Sequence, residues 1–155
     1  MGKIVKTILL TPLLKPTGAV QKAFAILQAA DGSLFISTST GCQLLHVDEN
    51  GQPLSCWTTA DLGLSCRYLL GMQSLANGNV LIACGDYHLK TEDEGRDALA
   101  EISAEGKVVW RLTRAQLVEQ IGGNTDVHGG LRELHITNVH AYDSDKLAEC
   151  LHVRR

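Results

Sequence analysis

Aromatic residues are scarce in this 155-residue chain, at 5%, prolines number three, and positive charge is not in excess, the net charge being −3. Lys and Arg are scattered along the chain, so it has neither the basic stripe nor the stacking aromatics that track a nucleic acid, and no nucleic-acid partner is expected. No apolar run approaches the roughly 18 residues needed to cross a bilayer as a helix, so no transmembrane segment is expected. The five cysteines, Cys42, Cys56, Cys66, Cys84 and Cys150, are odd in number and lack CxxC spacing. That pattern gives neither a disulfide framework nor a zinc site, reads as small buried hydrophobes, and points to a reducing compartment. There is no Gly-rich phosphate loop, no Gly-x-Ser-x-Gly elbow and no His-Glu-x-x-His helix. No metal is expected and no cofactor is specified.

What is present is apolar material, 45% of residues, enough to build a core. The organising stretch is Gln73 to Trp110. Asn77-Gly78, followed at once by Val-Leu-Ile-Ala-Cys, predicts a two-residue type I′ hairpin, since both residues tolerate positive φ. Ser103-Ala104-Glu105-Gly106 predicts a second hairpin with Gly in the left-handed region. Together they make a four-stranded antiparallel unit.

This unit repeats. Asp31 to Ile36 matches Asn77 to Ile82, Leu45 to Gly51 matches Ala100 to Gly106, and Thr58 to Leu62 matches Thr113 to Leu117. Gly2-Lys3-Ile4-Val5 matches Gly106-Lys107-Val108-Val109, which makes Ile4 to Leu10 a strand closing an earlier unit. The same match accounts for an N-terminus that otherwise has the charged start and short apolar core of a signal peptide, which Lys15 and Pro16 interrupt. A fresh unit begins near His135, with a turn at Asp143-Ser144-Asp145. One domain over 1–155 results: a unit end at 2–17, units at 20–62 and 67–117, a long connection at 113–134 and a partial unit at 135–155. Repetition of a four-stranded unit at this length is the pattern of β-propeller blades.

The Asn-Gly or Asp-Gly turn, the aliphatic run after it, and a further strand ending in Gly-Lys-Val-Val-Trp resemble the repeats of quinoprotein-like and arylsulfotransferase-like propellers. The resemblance covers most of the chain. It implies an all-β fold of propeller-like blades and a lean toward the periplasm or secretion. Because such repeats serve many activities, the leading functional expectation is a non-catalytic binding or assembly module. The competing one is a piece of a quinoprotein-like or arylsulfotransferase-like enzyme. With two complete and two partial units, and at least four blades needed to close a propeller, self-association or missing blades are the expected partners, alongside a small polar ligand.

Candidate ligand residues fall in two groups. Asp86 and His88 share a strand face at the start of the long loop 85–97, as a base and its orienting partner or half of a metal site would, though two ligands alone do not make a site. His128 lies in the long connection and His135 and Asn138 follow it, and His135, Asn138 or Arg67 would line a propeller's central channel. Alternation turns His135 and His140 to opposite faces, which argues against a two-His metal site. Meander topology puts all tight turns at one end and all long loops at the other, so the site is expected at the long-loop end, with no polar gathering among the tight turns. His46 reads as structural or exposed, and Trp57 and Trp110 as packing residues at matching ends of the fourth strands.

Overall fold

The computed structural model describes residues 2–4, 6–16, 22–38, 41–85 and 96–120. Strands β1 (Ala23–Gln28), β2 (Leu34–Thr38), β3 (Gln43–Val47) and β4 (Pro53–Thr58) form one antiparallel sheet in sequence order. A second sheet follows with β5 (Tyr68–Ser74), β6 (Val80–Gly85), β7 (Asp97–Ile102) and β8 (Val108–Thr113), and α1 (Arg114–Gln120) is a short helix. The described fold is all-β, in two like meanders.

Four five-residue turns set the registers. At Ala29–Ser33, Asp48–Gln52, Leu75–Asn79 and Ser103–Lys107 the fourth residue's N–H donates to the first residue's carbonyl, and the first residue's N–H donates to the fifth's carbonyl. Each fourth residue is a glycine, with φ of 86°, 83°, 84° and 78° at Gly32, Gly51, Gly78 and Gly106. This is a type I turn closed by a left-handed glycine, a three-residue loop with a bulge. The type I′ expectation at Asn77-Gly78 is thereby corrected: type I′ needs positive φ at both residues, and among the described non-glycines only Cys42 has it. Asn77 serves another purpose, its Oδ1 accepting the Asn79 N–H at 3.0 Å.

The sheets pack face to face. Phe35 and Leu44 of the first meet Leu69, Val80, Ile82, Cys84, Ala100 and Ile102 of the second in one buried cluster, with Trp57 packed against it. Strand β6 is buried along its whole length, which is why Val80–Cys84 reads as an unbroken apolar run rather than an alternating one. Sequence-equivalent positions take opposite roles in this contact. Phe35 pairs with His46, as Leu81 pairs with Glu101. Yet Phe35 faces the second sheet, while Leu81 belongs to a separate cluster with Leu70 and Ala83. The inward face of the first sheet therefore corresponds to the outward face of the second, a head-to-tail stacking.

Residues 6–14 extend that scheme. Trp57 lies against the Gly106 turn, where any Cβ would overlap its ring. The equivalent turn glycine in the first sheet, Gly51, lies against Ile8, with an added Cβ 3.1 Å from Ile8 Cγ1. Ile8, Leu10, Leu13 and Leu14 cover Ile36, Leu45 and Val47 on the first sheet's outward face. Buried polar residues at the start of each third strand repeat the correspondence. Asp97 Oδ2 accepts the Ser65 N–H (2.7 Å) in the link after β4. Gln43 Oε1 accepts the Lys15 N–H (2.9 Å), and its Nε2 donates to the Lys15 carbonyl (2.7 Å). Residues 6–15 thus lie where the fourth strand and connector of a preceding unit would lie.

They do so without forming a strand. The described residues between Gly2 and Leu10 join no ladder, which corrects the expectation for Ile4 to Leu10. Their contacts are face-on, through Ile8 and Leu10, so the backbone finds no neighbouring strand edge. Pro12, in the 3-10 turn Thr11–Leu13, supplies no N–H for one. The tryptophan equivalence is corrected too. Register aligns Trp57 with Leu112, opposite Leu44 and Leu99, whereas Trp110 lies opposite Glu101 at the position of Ser55. Trp57 packs between the sheets and Trp110 is 44% exposed.

Both sheets end in a reciprocal cap. Thr113 Oγ1 accepts the Gln116 N–H (3.3 Å) while Gln116 Oε1 accepts the Thr113 N–H (2.9 Å), opening α1 with Thr113 as N-cap. Thr58 and Asp61 make the same exchange at 3.1 and 2.7 Å. There the chain turns only once before Gly63, at φ 64°, ends it.

Candidate functional site

A cleft of about 240 Å³ opens between the sheets at their tight-turn end. The β1–β2 turn supplies Ala29, Ala30, Asp31 and Ser33; Phe35 and His46 form one wall; Ser74 at the end of β5, Leu75 and Gly78 of the β5–β6 turn and Ala104 of the β7–β8 turn form the other. The registers of β2 and β3 bring Phe35 and His46 side by side, and their rings stack with centroids 4.1 Å apart and planes within 7°.

A polar chain runs across this wall. Asp31 Oδ1 accepts both the Ser33 N–H (3.0 Å) and the Ser33 hydroxyl (2.7 Å). Ser33 Oγ lies 2.9 Å from His46 Nε2. With the one hydroxyl hydrogen committed to Asp31, Nε2 must carry the proton and donate, which leaves Nδ1 as an acceptor. Hydrogen bonds from Ser33, more than any other influence, hold the Asp31 carboxyl below the usual range. Burial lowers the His46 pKa, against a smaller upward pull from the Asp31 charge. The imidazole is therefore neutral at neutral pH. Serine, histidine and aspartate here are not a nucleophilic triad. The carboxylate sits on the hydroxyl instead of behind the imidazole, so it holds the very proton the histidine would have to remove.

The second sheet carries different residues at the same three positions. Asn77 and Asn79 both donate from Nδ2 to Glu101 Oε1, at 2.9 and 2.6 Å. These two amides, Asn79 foremost, hold the Glu101 carboxyl below its usual range.

Of the residues singled out from sequence, Asp86, His88, His128, His135 and Asn138 lie outside the described residues. Arg67 is exposed and precedes β5; its N–H donates to the Gly85 carbonyl (3.2 Å) and its carbonyl accepts from the Cys42 thiol. It stands at the far end of β5 from Ser74, on the order of 20 Å away at about 3.3 Å per strand residue, so Arg67 and the cleft do not meet. The gathering of Asp31, Ser33 and His46 corrects the expectation that the tight turns carry none. Among the described residues no group of three or more His, Cys, Asp or Glu side chains could hold a metal ion, and no helix is long and apolar enough to cross a membrane.

No known family matches the chain, and no curated protein does. Among solved structures it is similar to a protein of unknown function from Bacteroides caccae, with a TM-score of 0.53 and 21% identity over 63% of this chain. The chain spans 37% of that protein's length. At that identity the likeness concerns the all-β fold alone.

Proposed function

We propose that this protein is a non-catalytic binding or assembly module built from propeller blades, and that further blades join it at the outward face of its first sheet. One observation carries this reading. Leu34, Ile36, Leu45 and Val47 on that face occupy the positions of Val80, Ile82, Ala100 and Ile102, which in the second sheet are covered by the first sheet. On the first sheet the cover is partial. Residues 6–14 take the place of a last strand, and beside them a groove of about 400 Å³ runs past Lys6, Ile8, Ala23 and Ile26. Phe24 and Ile26 are 46% and 65% exposed. Apolar area of this kind stabilises association by roughly 25 cal/mol per Å² removed from water.

Light scattering tests the proposal. The chain is expected to show a molar mass above 16.8 kDa that grows with concentration, and Ile26→Asp should return it to the single-chain value while leaving the melting temperature in place. A constant 16.8 kDa at every concentration would overturn it.

A further inference from the structure

The two sheets use one scaffold to build two unlike polar triplets, and the contrast gives the cleft a chemistry. In the second sheet the triplet is closed, because both Asn amides donate to Glu101 and the anion is satisfied from within. In the first sheet the triplet is open. Ser33 spends its N–H and hydroxyl on Asp31 Oδ1, and His46 spends its Nε2–H on Ser33. Asp31 Oδ2 and His46 Nδ1 have no side-chain partner among the described residues. Both are acceptors, and the cleft wall they belong to carries no lysine or arginine. Apart from Ser74 the remaining lining is apolar, with Ala29, Ala30, Phe35, Leu75 and Ala104 foremost.

An anionic, acceptor-bearing wall beside a narrow apolar floor fits a donor-rich cation on a short hydrocarbon stem. We propose that this cleft is a binding site for a primary alkylammonium group, either the end of a lysine side chain or a small free amine, with Asp31 as the anionic anchor. Ser33 and His46 act as positioning groups: the hydroxyl fixes one carboxylate oxygen, and the stacked imidazole fixes the hydroxyl. The volume, about 240 Å³, is below the range of drug-sized ligand pockets and suits a stem of a few methylenes. The site is independent of whether further blades stack on the first sheet, because it lies on that sheet's other face.

Asp31→Asn is the discriminating variant. Position 77, the equivalent of 31, already holds Asn and caps its turn through Oδ1, so the variant keeps the turn while it removes the charge and turns the free acceptor into a donor. Amide NMR shifts would be followed on the whole chain as n-butylammonium chloride is added at millimolar concentration, with n-butanol and Nα-acetyl-lysine methylamide as parallel titrants. Saturable shifts at Ala29, Ser33, Leu75 and Ala104 are expected with both amines. The affinity for both should fall by up to about fivefold in Asp31→Asn, as loss of an ion pair at an exposed carboxylate predicts. Stronger binding of the lysine derivative than of butylammonium identifies a peptide-borne source, and the reverse a free amine. The proposal is overturned if n-butanol binds as well as the amine, if Asp31→Asn binds equally, or if no amine gives saturable shifts in these residues.

Discussion

The first and second sheets share topology, turn type, cap and buried clamp, and differ in what fills the equivalent places. At the turn glycines the first sheet meets Ile8 and the second meets Trp57. At the head of the third strand the first has Gln43 and the second Asp97. At the turn end one carries Asp31, Ser33 and His46, the other Asn77, Asn79 and Glu101. Backbone hydrogen bonding and left-handed glycines define the frame, so the side chains between them are free to diverge in charge.

The largest single effect should come from a turn glycine, Gly106, and the turn glycines should be graded by neighbour. Gly106→Ala combines left-handed strain with a rigid indole that cannot yield, and should cost about 3 kcal/mol or more. Gly51→Ala meets the flexible end of Ile8 at 3.1 Å and should cost about 2 kcal/mol. Gly78→Ala has open space around it and should cost only the conformational term, about 1 kcal/mol. Denaturant titration reads all three; equal losses would show that Trp57 and Ile8 do not matter to the turns beneath them.

Next come the clamps. Asp97 is 1% exposed and holds the Ser65 N–H and hydroxyl, with Arg111 Nη1 at 3.8 Å. Asp97→Ala should cost roughly 2 to 3 kcal/mol by removing the two hydrogen bonds from Ser65 and the contact with the half-exposed Arg111. Gln43→Ala removes a neutral group that binds one backbone residue on both sides, and should cost roughly 1 to 2 kcal/mol. A reversed order in chemical denaturation would mean that residues 6–15 are held more firmly than the link between the sheets.

Smallest is the pH response, which should separate the two triplets by window. His46 has a folded pKa below the ordinary histidine value of 6.5, so the unfolded chain takes up the proton first. Its contribution is present in full above the unfolded value and falls away as pH drops from 6.5 toward the lower folded value. Glu101 is lowered from 4.5 by its two amides, so its contribution persists above 4.5 and is lost only in more acid solution. From pH 7 to 5, roughly the span in which an imidazole titrates, His46→Gln should remove part of the decline seen in the parent; Glu101→Gln should lower stability by a constant amount across that window and alter the slope only below it. Superimposable curves for His46→Gln and the parent would show that the imidazole does not feel its burial.

Much of the frame was legible before any coordinates. Glycine after Asn, Asp or Glu punctuated the chain, and aliphatic runs between those marks placed all eight strands, because a left-handed position and a two-sided buried strand each leave a local trace. The turn type was not legible, since Asn-Gly suits both a type I′ turn and a type I turn with a glycine bulge. The behaviour of Ile4 to Leu10 was not either: its sequence match to β8 was real, and Ile8 does stand where a fourth strand would put it, but a ladder needs a neighbour that the pattern does not reveal. The triplet of Asp31, Ser33 and His46 was missed because His46 lies on another strand and meets Ser33 only through the β2–β3 register. Counting that register from the matched turns, and noting that His46 and Glu101 are equivalents, would have found it.

The segment over the first sheet also sets where the molecule gives way. Residues 6–14 are held by side-chain packing, by Lys6 Nζ on the Glu49 carbonyl and, just beyond them, by the Lys15 bonds to Gln43. The sheets beneath are held by continuous ladders. Local opening follows the weaker bonding, so this flap lifts while both meanders stay closed, and Ile36, Leu45 and Val47 come into contact with solvent in a chain that is otherwise folded. The seam that lets go first is the one that uncovers the apolar face.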